Sequence, residues 1–355
     1  MGSAPKPLVE RRFSSILALD FSLVGDLVML TPALRRLRQA YPGARLTLAA
    51  QPFALELFSG GDLVDEVVVY DKRGEDRGMR GVFRLGSRLK ARHFDAAFVF
   101  HRSFGSALAA WLARIPVRAG YRNELRDLLL THRVREPELQ GHIIDEHLYL
   151  LSEVGIPGET PRVELDMDLS HADEFFARQS PRLAENSRPL IVVCPRGGWP
   201  TKTWRASHIN RFLDLFEVHS VTFALVGAPG DEECAEKVYS VNNEILNLVG
   251  KTSLRELVYL LQRADVVVSP DTGTVHLAVA LGTPVVALFG PTAPERCGPP
   301  AYAPAAIISG EVNCLKCYLK RCTREPFCMD TIQPEKVKAE VDRFIAARRA
   351  AAEVV

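Results

Sequence analysis

The chain has 355 residues, 47% of them hydrophobic, and a formal net charge of +1 at pH 7. Its length exceeds what one ordinary core needs, so two domains are expected, and a near-zero charge gives no reason to expect nucleic-acid binding. No apolar run approaches the roughly 20 residues that cross a bilayer, and residues 16–19 are too short for a signal-peptide core. The cytoplasm is therefore the expected location, with any membrane contact peripheral.

Strand and helix patterns alternate twice over, which predicts an α/β protein of two Rossmann-like domains. Residues 15–19, 45–49, 67–70 and 96–100 read as short buried strands, and residues 27–40 as the first long helix, stopped by Pro42 and Gly43. Gly25 and Asp26 follow the first strand and open that helix, which puts Asp26 at the carboxyl end of the sheet, where open α/β folds bind ligands. Asp26 is thus a candidate functional carboxylate, with helix capping as its alternative role. A basic run from Lys72 to Arg92 follows. Within it Arg77, Arg80, Arg84 and Arg88 recur at three and four residues, so on a helix they form one stripe able to meet phosphates or carboxylates; a solvated face balanced by Glu75 and Asp76 is the alternative. His101 and Arg102, after the fourth strand, are a second candidate contact for an anionic acceptor. Asp166-Met-Asp168 looks like an Asp-x-Asp metal signature, but such a pair arises by chance on a half-exposed strand, here residues 163–169, whose alternate residues share a face.

Residues 170–189, charged and containing two prolines, read as the link between domains 1–175 and 188–333. Beyond it, residues 190–194, 221–226, 266–269 and 285–289 read as strands, and 207–217, 231–239 and 253–262 as helices. The loop after the first of these strands carries Arg196, Gly197 and Gly198, then Thr201, Lys202 and Thr203, a set of cations and donors suited to an anion; a solvated Lys202 and an Arg196 paired with a surface acid are the alternative. After the 266–269 strand, Pro270 ends the ladder, Gly273 loosens the turn, and a helix begins near Thr274 with His276 in its first turn. Free N–H groups point out of that start. Thr272, Thr274 and a protonated His276 would add donors to the same anion, leaving Asp271 to accept from sugar hydroxyls. Cys314, Cys317, Cys322 and Cys328 form a compact set that could bind structural zinc or, on a weaker match, an iron-sulfur cluster, stay as reduced thiols, or pair as disulfides. Residues 334–355 form an amphipathic helix with Val337, Val341, Phe344 and Ile345 on one side, which could cross back to the first domain.

Four blocks resemble family 9 glycosyltransferases, the ADP-heptose:lipopolysaccharide heptosyltransferase family: residues 22–34 (SLVGDLVMLTPAL), 194–204 (CPRGGWPTKTW), 223–233 (FALVGAPGDEE), and 271–276 (DTGTVH) with its Gly290-Pro-Thr292 tail. The resemblance implies a GT-B fold, two Rossmann-like domains facing a central cleft. It implies an inverting, metal-independent transfer of heptose from ADP-heptose to the lipopolysaccharide inner core, at the inner face of the inner membrane. Asp26 then becomes the base that takes the acceptor's proton, and Lys202 the phosphate ligand. By the same resemblance Gly227 and Glu232 lie near the ribose, and residues 248–253 near the adenine. A transferase using another nucleotide-sugar, or an epimerase, is the nearest alternative. A dehydrogenase is disfavoured because no Gly-x-Gly-x-x-Gly follows the first strand, and a metal-binding scaffold built on the cysteines is the non-enzymatic reading.

Overall fold

The computed structural model describes residues 7–123, 125–137, 141–165, 167–169, 174, 188–241 and 245–352. It divides into two compact units, Met1–Asp168 and Leu169–Val355. The expected link at 170–189 lies almost wholly outside the described residues.

In the first unit, β1 (Ser15–Leu19), β2 (Arg45–Ala50), β3 (Glu66–Val69), β4 (Ala96–Val99), β5 (Val117–Tyr121) and β6 (His132–Val134) form one sheet in the order 3-2-1-4-5-6. Every pairing is parallel, with Ile16 opposite Leu46 on one side and Ala96 on the other. Crossovers run through α1 (Val24–Ala40), α2 (Ala54–Leu57), α3 (Gly78–Lys90) and α4 (Phe104–Leu112), and α5 (Ile143–Glu153) packs beside α1. Central strands are apolar on both faces because helices cover both; Leu17, Leu19, Ala97 and Val99 are each fully buried.

The second unit repeats the plan. β7 (Leu190–Val193), β8 (Thr222–Leu225), β9 (Ile245–Asn247), β10 (Val266–Pro270), β11 (Val285–Phe289) and β12 (Ala305–Ser309) lie parallel in the order 12-11-10-7-8-9. Its helices are α6 (Ala206–Asp214), α7 (Glu232–Glu236), α8 (Leu254–Arg263), α9 (Gly273–Leu281), α10 (Pro294–Cys297) and α11 (Pro334–Ala352). α8 starts at a reciprocal cap in which Ser253 Oγ accepts from Glu256 N and Glu256 Oε2 accepts from Ser253 N. α9 stops at Gly282, whose φ of 72° suits glycine.

The apolar stripe of α11, Val337, Val341, Phe344 and Ile345, enters the core formed by Trp204, Phe212, Val268 and Leu288. One expectation needs correction. Residues 163–165 and 167–169 form no strand, and Asp166 lies outside the described residues. Instead Arg35 Nε pairs with Glu164 Oε1 at 2.7 Å, and Glu164 N donates to Thr31 Oγ1 at 3.1 Å, which docks the segment on α1. Among the described residues, no helix is long and apolar enough to cross a membrane.

Thr31 also solves a problem inside α1. Pro32 lacks the N–H that would bond to Val28 O four residues back, and Thr31 Oγ1 donates to that carbonyl at 2.7 Å. Thr31→Val, of similar shape, removes both bonds, one buried and one part-buried, and is expected to lower stability by roughly 1–3 kcal/mol. Urea unfolding checks this, and an unchanged midpoint would refute it.

Candidate active site

In both sheets the strand order reverses beside the first strand of the unit, between β1 and β4 and between β7 and β10. Side chains that follow those strands meet at the carboxyl edge, where parallel sheets open a crevice.

In the first unit the segment from Asp20 to Leu23 links β1 to α1 and is clamped by two neighbours and by a bond of its own. Gln51 Nε2 donates to Phe21 O and Ser22 O at 2.9 and 2.6 Å, Lys72 Nζ donates to Phe21 O at 2.5 Å, and Ser22 N donates to Asp20 Oδ1 at 2.7 Å. The clamp fixes how α1 presents Asp26. Asp26 is half-buried at the third helical position, and its Oδ2 reaches back toward Leu23 N at 3.4 Å. It is therefore the far arm of a cap, not the N-cap residue itself, which is Leu23.

Asp20, 1% exposed, was not singled out in the sequence, although an aspartate closing an apolar strand was a readable signal. Burial pushes its carboxyl up to about 6, aided by nearby Asp26 and opposed by Ser22 and Lys72. His101 sits at the end of β4 with Nδ1 2.9 Å from Ser103 Oγ and its ring 5.3 Å from that of Phe21. Burial, then Lys72 and Arg126, pull it down to about 4, so it is a neutral hydrogen-bonding imidazole at pH 7. Arg102 is committed to Glu146 at 2.7 Å and Glu136 at 3.2 Å. The stripe on α3 divides: Arg84 and Arg88 both hold buried Asp76, at 3.3 and 2.6 Å, whereas Arg77 and Arg80 are exposed.

In the second unit the loop after β7 and the turn after β10 meet in a buried ion pair. Lys202 Nζ donates to Asp271 Oδ2 at 2.6 Å and to Asp271 O at 3.2 Å, and lies 4.0 Å from the centre of the Trp199 ring. Two of its three donors are thereby used. His276 Nε2 lies 4.0 Å from Asp271 Oδ1. Thr272 caps α9, accepting from Thr274 N at 3.2 Å, and its hydroxyl is 3.1 Å from Ser269 Oγ. The loop can close this tightly because position 197 is glycine: a Cβ there would lie 2.2 Å from Lys202 Cβ. Thr201, also buried, donates to Leu319 O at 2.6 Å.

Arg196 turns to a separate cluster, where Nη1 meets Asp231 Oδ1 at 3.0 Å and Gly230 O at 3.2 Å. There Glu232 Oε2 accepts from Gly230 N at 2.7 Å and Gly250 N donates to Gly227 O at 3.1 Å. Gly250 has φ 70°, which suits glycine, and a Cβ there would lie 2.3 Å from Glu232 Oε1. So Gly227, Glu232 and the 248–253 stretch do converge, and Arg196 joins them instead of Lys202.

The expectation of structural zinc is not supported. All seven cysteines are free thiols, and among the described residues no three His, Cys, Asp or Glu side chains gather closely enough to hold a metal ion. The loop folds instead onto the Gly290-Pro-Thr292 tail, through Lys316 N to Gly290 O at 3.2 Å and Tyr318 N to Pro291 O at 2.8 Å. Cys328 packs against Gly290, and burial pushes its thiol up, with the neighbouring Cys317, Cys322 and Cys314 adding to the rise.

Two parallel sheets, each with a crevice at its carboxyl edge, define an α/β fold of two Rossmann-like units, and likeness to known proteins makes it a glycosyltransferase of GT-B type. The model of glycosyltransferase family 9 (heptosyltransferase) matches residues 82–327, and the chain belongs to that family. It is 29% identical over 298 residues to lipopolysaccharide heptosyltransferase 2 of Escherichia coli K12, covering 79% of this chain and 84% of the relative. It is 25% identical over 303 residues to the lipopolysaccharide core heptosyltransferase OpsX of Haemophilus influenzae, covering 82% and 84%. Among solved structures it superposes on the E. coli ADP-heptose lps heptosyltransferase II with a TM-score of 0.76 at 25% identity, covering 94% of this chain and 99% of that one. A Veillonella parvula family 9 glycosyl transferase, at 21% identity and TM-score 0.81 over 95% and 98%, shares the fold.

Two outcomes test this site. An acid whose folded pKa exceeds its unfolded one binds more protons when folded, so Asp20 costs nothing well below pH 4, increasingly more up to about 6, and a constant amount above. Asp20→Asn is therefore expected to gain on the order of 2–3 kcal/mol relative to wild type between pH 4 and 7, read from urea unfolding at several pH values; a pH-independent difference would refute the assignment. Lys202→Met strands a buried carboxylate and is expected to cost about 3–5 kcal/mol, most of it recovered in Lys202→Met/Asp271→Leu. A double variant no more stable than the single one would contradict this.

Proposed function

We propose that the enzyme transfers heptose from ADP-heptose to the inner core of lipopolysaccharide, inverting the anomeric carbon, with Asp26 as base and no metal in the transfer step. The substrates follow from what the relatives are named for. The observation that carries the mechanism is the clamped turn that holds half-buried Asp26 at the carboxyl edge of β1.

Asp26 takes the proton of the acceptor hydroxyl as that oxygen bonds to the anomeric carbon. The bond from that carbon to the phosphate oxygen breaks, and ADP leaves with the electron pair. The remaining donor of Lys202 and the first-turn amides of α9, with Thr272, Gly273 and Thr274, stabilise the growing charge, and His276 adds a donor when protonated. Asp271 sets the direction of Lys202. Gly227 and Glu232 receive the ribose side of the nucleotide with Arg196 and Asp231 alongside, and Arg77 and Arg80, which no described carboxylate engages, are the cations of the α3 stripe that meet an anionic acceptor. A lipid-linked acceptor places this reaction at the cytoplasmic face of the inner membrane, reached by peripheral contact.

ADP release from ADP-heptose is expected to depend on a heptose-deficient lipopolysaccharide acceptor and to fall about 10²–10⁴-fold in Asp26→Asn without loss of ADP binding. NMR of the product should show the opposite anomeric configuration, and a chelator should leave the rate unchanged. No acceptor-dependent release from folded wild type would sink the choice of donor, and an active Asp26→Asn would sink the base.

A further inference from the structure

A cavity of about 360 Å³ opens beside the donor loop, walled by Thr201 and Arg205 on one side and by Lys320, Arg321, Arg324 and Phe327 of the cysteine loop on the other. Its charge is unbalanced. Arg205 Nη2 pairs with Asp330 Oδ2 at 2.8 Å, but among the described residues no carboxylate lies within ion-pair distance of Lys320, Arg321 or Arg324, and the one acid in the lining is Glu325. Like charges held together on a folded loop repel one another and favour an anion between them. The start of the loop is anchored: Thr201 Oγ1 donates to Leu319 O, Tyr318 N donates to Pro291 O, and Lys316 and Tyr318 both have positive φ, at 62° and 54°, with the side chains of Lys320, Arg321 and Arg324 exposed just beyond.

We propose that this cavity binds a phosphate monoester, separately from the site of Lys202 and Asp271. Guanidinium groups present forked N–H pairs that match phosphate oxygens, Lys320 supplies a point charge, and Thr203, also in the wall, and the Phe327 ring fit the polar and apolar parts of the group that carries the phosphate. A monoester of nearly two negative charges and three acceptor oxygens matches three unpaired cations better than a singly charged diester does. The assignment does not depend on which sugar the enzyme transfers.

The test uses the full-length protein, calorimetry with glucose 6-phosphate, flotation with phosphatidic acid in phosphatidylcholine vesicles, and the variant Lys320→Gln/Arg321→Gln/Arg324→Gln. Wild type is expected to bind at least one of these, and the variant to bind it about tenfold or more weakly while keeping the affinity of wild type for ADP and its melting temperature. Binding of glucose 6-phosphate indicates a soluble or saccharide-borne phosphate, and binding of the vesicles alone indicates a lipid-borne one; both support the site. Binding of neither by wild type, equal binding by wild type and variant, or displacement of the phosphate compound by ADP overturns it. A variant that melts early is replaced by Arg321→Gln/Arg324→Gln, judged on the same readouts.

Discussion

A wholly parallel sheet cannot be made by hairpins; each strand must return through a crossover, and a chain that begins in the middle must reverse its direction of growth once. Both units obey this constraint, and the reversal parts the connections after two adjacent strands at one edge. The groups of chemical interest sit there. Asp20 and Asp26 follow β1 while His101 follows β4, and Lys202 follows β7 while Asp271 follows β10.

The two edges handle charge differently. The second unit buries a lysine and a carboxylate against each other, with an aromatic ring over the ammonium, so each group's loss of water is offset by its partner. In the first unit a carboxylate is buried in a clamped turn without an ion-pair partner and the nearby lysine is used on a backbone carbonyl, so the proton equilibrium of Asp20 is displaced. One arrangement fixes a cation in place, and the other fixes a backbone segment.

Much of the fold was legible because strands buried on both faces are plain apolar runs: residues 15–19 and 285–289 matched to the residue. β5 was missed because Arg118 interrupts its run, a charge tolerated where its guanidinium reaches the carbonyls of Leu129 and Ile115. β9 and β12 are sheet edges, only half-buried, and lack a strong pattern. In the sites, single residues were readable and their pairings were not. Lys202 and Asp271 stand 69 residues apart, and only the adjacency of β7 and β10 joins them. Arg196 was grouped with Lys202 by sequence proximity, yet the loop turns between them. The four cysteines had ligand-like spacing, but backbone bonds to Gly290 and Pro291 decide where that loop goes, and spacing carries no record of them.

The placement of α11 bears on the order in which the halves acquire structure during synthesis. The first-unit core around Leu17, Leu85 and Val99 is drawn from residues 17–130, so all of it has been made before the second unit begins. The second sheet has no such advantage. Trp204, Phe212, Val268 and Leu288 wait for Val337, Val341 and Phe344, so one apolar face stays wet until residues 334–352 have been made. For that interval the nascent chain is a finished domain trailing an unfinished one, and the stretch most in need of a chaperone is the half built around Lys202 and Asp271.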